Sequence, residues 1–164
     1  MIKHTISKFT FSNPFDVNFP GSKETNKCVL WTIEGPSFLM NQIRKMIAFV
    51  IYISYNKLKK EDILHSFDKE KKLHFGKFPG LGLYLNKVEY PTFIAKMRRE
   101  NKEDHFFLKR DVEFSRERPK IDKWINEVLY PHIIEEDRNK HTFQNWIEKA
   151  VHKYPPYYVL DANN

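Results

Sequence analysis

An arginine, Arg44, lies among apolar residues in the segment 39–51. At about 3.6 residues per helical turn, this segment presents one stripe that is apolar apart from the arginine and a neighbouring stripe that is more polar. The first stripe contains Met40, Arg44, Ile47 and Ile51, and the second contains Asn41, Lys45 and Tyr52. We therefore predict that Lys45 reaches water and that Arg44 is much less accessible.

Arg44 needs an anionic or carbonyl partner if it is shielded from water, because a guanidinium does not release its proton on burial. One interpretation is structural, with the arginine extending past the helix edge or closing an ion pair. The other is catalytic, with the arginine holding a reactive carboxylate or an RNA phosphate inside a cleft. The helical pattern by itself favours the structural interpretation and does not separate the two.

The composition indicates one folded domain with a basic surface. The chain has 164 residues, of which 41% are hydrophobic, including 14 phenylalanines; such a composition suits a globular core and argues against disorder. The formal charge of +7 suits a polyanionic partner such as RNA or an acidic membrane surface, although many soluble proteins are mildly basic. The single cysteine, Cys28, excludes an internal disulfide and is predicted to pack in the core.

Several common chemistries lack the residues that they need. The 7 histidines include no close pair with metal-ligand spacing, and no second cysteine completes a zinc site. Neither a serine-nucleophile elbow nor a phosphate-binding glycine loop occurs. The apolar run 43–55 is interrupted by Arg44 and Lys45 and is shorter than the roughly 20 residues of a membrane span. These absences argue against a metal enzyme, a kinase and a serine hydrolase, and the short apolar run predicts no membrane partner.

The local patterns predict an α+β fold, in which a mostly antiparallel sheet carries helices on one face. Strands are predicted at 2–11, 28–34 and 83–90, helices at 37–55 and 60–67, and loops at 13–22 and 69–80. Ser37 is the predicted N-terminal cap of the first helix.

The last third of the chain predicts helices after an exposed linker. Residues 98–120 are dense in charge of both signs and predict an exposed, partly helical connection. Helical spacing recurs first at Ile121, Trp124, Ile125 and Val128, and again at Phe143, Trp146, Ile147 and Ala150. Pro131 is expected to end or kink the first of these helices, and residues 154–158 are expected to form an extended tail.

Three motifs together resemble one family. Residues 35–46, GPSFLMNQIRKM, resemble the signature of the tRNA pseudouridine synthase A superfamily, and the chain looks most like its eukaryotic branch, tRNA pseudouridine synthase 1. Residues 79–85, PGLGLYL, resemble the second hallmark of that family. Residues 129–134, LYPHII, followed by Phe143 and Trp146, resemble the helical extension of the eukaryotic members.

The resemblance implies an RNA-modifying isomerase that converts uridine to pseudouridine in tRNA without cofactor or metal. It implies half of a pseudouridine synthase catalytic domain at 1–95, a charged connection at 96–120, and a helical extension and tail at 121–164. The family's catalytic aspartate lies in an Arg-Thr-Asp-like motif that this chain lacks. Its Arg110-Asp111 pair is out of order, so Asp111 is expected to be a surface residue. We therefore expect a fragment that is inactive by itself.

The resemblance also assigns roles to individual residues. Arg44 is the arginine that pairs with the catalytic aspartate. Leu83, beside Gly82, matches the apolar residue that packs against the target base, and its alternative role is strand core. Gln42 and Lys45 are candidates for RNA contacts, with solvent-facing roles as the alternative.

Further expectations concern lysines and aromatic residues. The lysines of the loop 69–80, which are Lys69, Lys71, Lys72 and Lys77, are a candidate phosphate-contacting rim or a solvated loop. Trp124 and Trp146 are expected to pack between helices. Asn41 stands where the family usually has histidine, Ala48 where glycine is common, and Phe78 where a small residue is common.

The expected partner is tRNA, with other structured RNA as an extension. The expected state is a monomer in the nucleus, by analogy with the family, with the cytoplasm or an organelle as alternatives. The rival hypothesis is a non-catalytic RNA-binding or interaction domain of the same fold.

Overall fold

The computed structural model describes residues 5–18, 25–66, 71–100 and 114–160, with the side chains of 71, 159 and 160 left out. The strands are β1 (Lys8–Phe11), β2 (Phe15–Asn18), β3 (Thr25–Cys28), β4 (Trp31–Glu34), β5 (Lys71–His74) and β6 (Tyr157–Leu160). The α-helices are α1 (Gln42–Ser54), α2 (Asp62–His65), α3 (Pro91–Arg99), α4 (Arg118–Trp124), α5 (Tyr130–Lys140) and α6 (Thr142–Trp146). Two π-helical turns cover Ile125–Leu129 and Ile147–Lys153. The chain is α+β, as predicted.

The described residues form two compact units. One lies within Met1–Leu81 and Ile134–Asn164, and the other lies within Gly82–Ile133. The domain boundaries at residues 95 and 120 stay a prediction. None of the helices in the described ranges is long and apolar enough to cross a membrane.

The first unit contains three antiparallel strand pairs, which are β1 with β4, β2 with β3, and β5 with β6. The predicted loop 13–22 was wrong where β2 forms, and the predicted strand 28–34 is divided between the end of β3 and β4. The division occurs because the two halves pair with different strands. Between β3 and β4, the N–H of Leu30 donates to Ser12 Oγ at 3.0 Å, and the carbonyl of Leu30 accepts from the N–H of Ser12 at 2.9 Å.

Two further predictions of secondary structure were wrong, one of a loop and one of a strand. The predicted loop 69–80 contains β5, because the C-terminal strand β6 pairs with it and supplies its hydrogen bonds; the predicted extended tail is therefore part of a sheet. The predicted strand 83–90 is irregular. There Arg118 donates to the carbonyl and the side-chain oxygen of Asn86, at 3.1 and 2.8 Å, and no described strand pairs with this segment.

Helix α1 is shorter than predicted and uses its stripes differently. Its N-terminal cap is Asn41, not Ser37, and Asn41 has a left-handed backbone with φ of 62°. Tyr52, which lies on the same stripe as Lys45, has a fully buried side chain. Ala48 and Phe49 are buried beside it. The core stripe thus runs from Lys45, at its exposed end, to Tyr52.

The core of the first unit joins α1 to the C-terminal helical region, which consists of α6 and the π-helical turn Ile147–Lys153. Ala48, Phe49, Tyr52, Leu58, Ala150 and Val151 form its buried cluster, and Phe75, Phe78 and Trp146 pack against it. Ala150 and Val151 therefore lie in the same core as the helix that carries Arg44.

In the second unit, helix α3 was not predicted, and the packing predicted for Trp124 was wrong because this side chain is 53% exposed. Pro131 does not end its helix, which continues to Lys140. The π-helical turn directly before it widens the helix and accommodates the missing N–H of proline. Residues 101–113 and the predicted residues 2–4 and 67 lie outside the described ranges.

Candidate active-site arginine and its surroundings

Arg44 lies in the first turn of α1 and is half-buried. Its Nε donates to the carbonyl oxygen of Phe78 at 2.6 Å, and its Nη1 donates to Asn41 Oδ1 at 3.4 Å. The partner that burial demands is therefore supplied by a backbone carbonyl and a side-chain amide. Lys45, the next residue, is exposed, as the stripe pattern predicted.

Arg44 and Phe78 are joined twice. In addition to the side-chain bond, the N–H of Phe78 donates to the backbone carbonyl of Arg44 at 3.1 Å. The two hydrogen bonds fix the segment 76–80 alongside the start of α1. They also fix the direction of the guanidinium, because Nε is the guanidinium nitrogen that is bonded to the aliphatic part of the side chain.

The outer part of the guanidinium keeps hydrogen-bonding capacity. In the described part of the chain no carboxylate pairs with Arg44, and neither recorded bond uses Nη2. Gly80 lies beside the group, and a Cβ atom there would be 3.9 Å from Arg44 Cζ. Glycine thus places no side chain on this side of the guanidinium, and Nη2, together with the second N–H of Nη1, keeps the capacity to bind an anion.

The segment that holds Arg44 is itself anchored. The N–H of Gly76 donates to the hydroxyl of Tyr52 at 3.2 Å, and the indole Nε1 of Trp146 donates to the carbonyl of Lys77 at 2.8 Å. A Cβ at Gly76 would lie 3.3 Å from the Tyr52 hydroxyl oxygen, so glycine permits this close approach. Burial raises the pKa of Tyr52 more than the Gly76 N–H lowers it, which keeps the phenol neutral.

Aromatic rings complete the anchor. The ring of Phe78 stacks on that of Phe143, with centroids 5.4 Å apart and planes inclined by 6°. It also meets the ring of Trp146 edge to face at 5.1 Å. Trp146 contacts Tyr52 as well, at 5.6 Å. The ring of Phe78 therefore fills the space between α6 and the segment that holds Arg44.

Helix α1 brings Gln42, Arg44 and Lys45 together, and Lys77 precedes Phe78. The Oε1 of Gln42 accepts from the N–H of Leu39 at 2.8 Å, so part of this side chain supports the start of the helix. Lys45 Nζ lies 5.5 Å from the ring centroid of Phe75. The side chain of Lys77 is exposed, and within the described ranges it closes no ion pair.

Gly82 and Leu83 belong to the second unit. Gly82 has a φ of +81°, a conformation that favours glycine, and a Cβ there would lie 3.6 Å from Ile133 Cγ2. Leu83 lies outside any described strand and is 49% exposed. The alternative role of Leu83 as strand core was therefore wrong, and its role against a base stays a prediction.

Some of the predicted residues lie outside the described ranges. Lys69 and Asp111 lie in undescribed segments, as does the side chain of Lys71. Across the described ranges, no group of histidine, cysteine and acidic residues could hold a metal ion.

Sequence reasoning missed two contributions to the surroundings of Arg44. The contact with Asn41 could have been expected from the spacing of three residues on a helix. The contacts of the Gly76–Phe78 segment with Trp146 had no local signal, because the two lie 69 residues apart.

The chain is similar to known proteins over most of its length. A family model described as tRNA pseudouridine synthase matches residues 13–91. The chain is 30% identical to tRNA pseudouridine synthase 1 of Schizosaccharomyces pombe over 84% of this chain and 23% of that protein. It is 27% identical to the pseudouridylate synthase 1 homolog of Mus musculus over 74% of this chain and 27% of that protein. For tRNA pseudouridine synthase A of Mycoplasma genitalium the identity is 36% over 52% of this chain and 32% of the relative.

These matches define an isomerase family whose members are named for tRNA modification. The matched part of the chain, residues 13–91, belongs to the tRNA pseudouridine synthase family, and the relatives named above carry names of this family. The chain spans about a quarter of the length of the first curated relatives that it matches.

Proposed function

We propose that this chain forms the arginine-bearing half of the catalytic domain of an isomerase that converts uridine to pseudouridine in tRNA. Family membership supports the reaction class. The observation that carries the proposal is the geometry of Arg44, whose Nε donates to the carbonyl of Phe78 at 2.6 Å and whose Nη1 donates to Asn41 at 3.4 Å, while Nη2 has no hydrogen bond within the described ranges. A structural arginine would be expected to spend the Nη2 donors within the unit that it stabilises.

In this proposal Arg44 binds the carboxylate of the catalytic aspartate. The paired guanidinium lowers the pKa of a neighbouring carboxyl group, so the aspartate stays ionised and able to react. The reaction breaks the bond between ribose and a uracil nitrogen and rejoins the sugar to a uracil carbon. That carbon loses a proton and the freed nitrogen gains one. The product is an isomer, and no oxidant or reductant is consumed.

The aspartate is not supplied by an Arg-Thr-Asp-like motif of this sequence. We therefore propose that conversion requires a further polypeptide segment, in the natural full-length protein, that carries this motif. The chain of 164 residues alone would bind tRNA weakly and would convert no uridine. Its domains would be the catalytic half at 1–95, the connection at 96–120 and the helical extension at 121–164.

The remaining candidates are assigned to the substrate. Lys45 directly follows Arg44 in the sequence, and Lys77 directly precedes Phe78. Both are exposed cations and suit phosphate contacts. Leu83, half exposed and following the turn at Gly82, suits packing against a base. Gln42 suits a polar contact through its amide nitrogen. We propose a monomer that acts on tRNA, with other structured RNA as an extension, in the nucleus or an organelle.

The test is pseudouridine formation on tRNA by the full-length protein, comparing wild type with Arg44→Met. We expect conversion to fall by about two orders of magnitude or more, because the electrostatic support of the reacting carboxylate is lost. Lys57→Met is the matched control, since Lys57 is an exposed cation beyond the other end of α1 and should leave conversion unchanged.

Each outcome decides the proposal. Loss of conversion in Arg44→Met, with an unchanged melting temperature, supports it. Wild-type conversion in Arg44→Met overturns the catalytic role of Arg44. A full-length protein that binds a broad RNA pool and converts no uridine would favour the rival, a non-catalytic RNA-binding domain.

A further inference from the structure

The direction of the Arg44 guanidinium depends on a segment that cannot hold its own shape. Residues 75–79 form neither helix nor strand, so their backbone is positioned by contacts from elsewhere. The carbonyl that binds Arg44 Nε belongs to Phe78, and the preceding carbonyl, of Lys77, accepts the indole N–H of Trp146 at 2.8 Å. The Lys77 carbonyl and the Phe78 N–H belong to one planar peptide unit, so a displacement of this carbonyl would also move the Phe78 N–H, which donates to the backbone carbonyl of Arg44 at 3.1 Å.

The ring of Phe78 is fixed by the same helix. It lies parallel to Phe143 at 5.4 Å and edge to face with Trp146 at 5.1 Å. Both partners are on α6, so one short helix fixes the side chain of Phe78 and the carbonyl before it. This arrangement leaves the Phe78 peptide little freedom to rotate.

Helix α6 is held independently of Arg44. The Phe143 N–H donates to Asp137 Oδ1 at 2.9 Å, and Asn145 Nδ2 donates to the carbonyl of Lys140 at 3.0 Å. Trp146 also packs against the fully buried Tyr52 of α1, with ring centroids 5.6 Å apart. The helix is thus a firm support against which the segment 76–78 rests.

We infer that Trp146 and Phe143 of the C-terminal helical region are positioning residues for Arg44, and that they set the direction of its guanidinium through the Phe78 peptide. The functional consequence rests on the proposed role of Arg44 in uridine isomerisation; the structural consequence does not. The C-terminal helical region would then contribute to the chemical step while touching neither the substrate nor the reacting carboxylate.

The first measurement follows Arg44 directly. In the ¹⁵N-labelled chain, the exchange of the Arg44 Nε–H with water is compared between wild type, Trp146→Phe and Trp124→Phe, with the signal assigned by its loss in Arg44→Lys. Trp146→Phe keeps an aromatic ring and removes the indole donor. We expect exchange to accelerate about three- to tenfold, the range that corresponds to the loss of one hydrogen bond. Trp124→Phe makes the same chemical change at a side chain that is 53% exposed and should leave exchange unchanged.

The second measurement uses the full-length protein and separates binding from chemistry. For Trp146→Phe we expect the single-turnover rate of pseudouridine formation to fall by a factor of up to about ten, with unchanged affinity for tRNA. The reason is that a small displacement of a catalytic group lowers the reaction rate more than it weakens binding. Phe143→Leu keeps an apolar side chain and removes the stacked ring. It should accelerate Arg44 Nε–H exchange and lower the single-turnover rate, as Trp146→Phe does. It serves in place of Trp146→Phe if that variant does not fold.

The two proposals fail separately. Unchanged Nε–H exchange in both Trp146→Phe and Phe143→Leu overturns the positioning inference, whatever the activity. Unchanged single-turnover rates in both variants, while Arg44→Met is inactive, also overturn it and leave the proposed function standing. Full activity of Arg44→Met overturns the proposed function, and the exchange measurement then still decides whether α6 positions Arg44.

Discussion

At the scale of single residues, Arg44 is held by neutral groups rather than by an opposite charge. The carbonyl of Phe78 and the amide of Asn41 fix its direction without neutralising it. Hydrogen bonds of this kind keep the positive charge available to an anion. Asn41 contributes twice, because it also begins α1 in the left-handed conformation, with φ of 62°, which asparagine tolerates better than most residues.

Asn41 therefore allows a test of its backbone role. We expect the free energy of unfolding of Asn41→Ala to be about 1 kcal/mol lower than that of Asn41→Gly, because alanine is strained in the left-handed region and glycine is not. Both variants lose the contact with Arg44 Nη1, so their difference isolates the backbone. Urea denaturation of the two variants measures it, and equal stabilities would contradict the role.

At the scale of elements, the C-terminal part of the chain supports the N-terminal part at two places. Helix α6 holds the segment beside Arg44, and strand β6 pairs with β5 in the register Leu73 with Tyr158. Tyr158 also donates its hydroxyl to Asp62 Oδ1 of α2 at 2.7 Å. The second Asp62 oxygen accepts from the N–H of Lys59 at 2.7 Å. One carboxylate thus links β6 to the start of α2.

The link between β6 and α2 through Asp62 makes the free energy of unfolding depend on pH. Hydrogen bonds from the Lys59 N–H and the Tyr158 hydroxyl lower the pKa of Asp62, so its contribution is present above the usual carboxyl pKa and is lost as the pH falls through the lowered value. Burial, and then the bond to Asp62, raise the pKa of Tyr158 to about 12. The contribution of Tyr158 is present below the usual phenol pKa and is lost as the pH rises through about 12.

We therefore expect Tyr158→Phe to be less stable than wild type at neutral pH, with a difference that shrinks in strong acid and in strong alkali. Urea denaturation across the pH range checks this. Tyr154→Phe is the control, because Tyr154 is exposed and its hydroxyl has no recorded partner in the described ranges. A difference for Tyr158→Phe that is constant with pH would contradict the link.

At the scale of the whole molecule, charge and family membership point in the same direction. The formal charge of +7 favours a polyanionic partner, and the relatives are tRNA pseudouridine synthases by name. Lys45 and Lys77 are exposed, and we propose that they add to this attraction.

We expect the affinity of the full-length protein for tRNA to fall as salt rises, since phosphate contacts release counterions. Lys77→Met should weaken binding and reduce the slope of the logarithmic salt dependence by about one. Filter binding at several salt concentrations measures the slope, with Lys57→Met as the control for a lysine outside the proposed interface. An unchanged slope in Lys77→Met would remove that residue from the phosphate contacts.

The sequence by itself determined the features that depend on local pattern and on motif. The helix around Arg44, the exposure of Lys45, the α+β class and the family all followed from spacing and from the order of short motifs. These succeed because helical periodicity and motif identity are properties of neighbouring residues. The position of the strands followed less well. The loops predicted at 13–22 and 69–80 contain β2 and β5, since a short strand forms wherever a distant partner supplies its hydrogen bonds.

Only the tertiary structure decided what Arg44 binds. Its main partner is a backbone carbonyl 34 residues away, and a backbone carbonyl has no signature in the sequence. The support from Trp146 is 69 residues from Lys77, so no window of local pattern could contain both. The same holds for Tyr52, which shares a helical stripe with the exposed Lys45 and which packing against Trp146 and its neighbours buries completely. Local pattern selects the elements, and contacts between elements distant in sequence determine which groups each side chain meets.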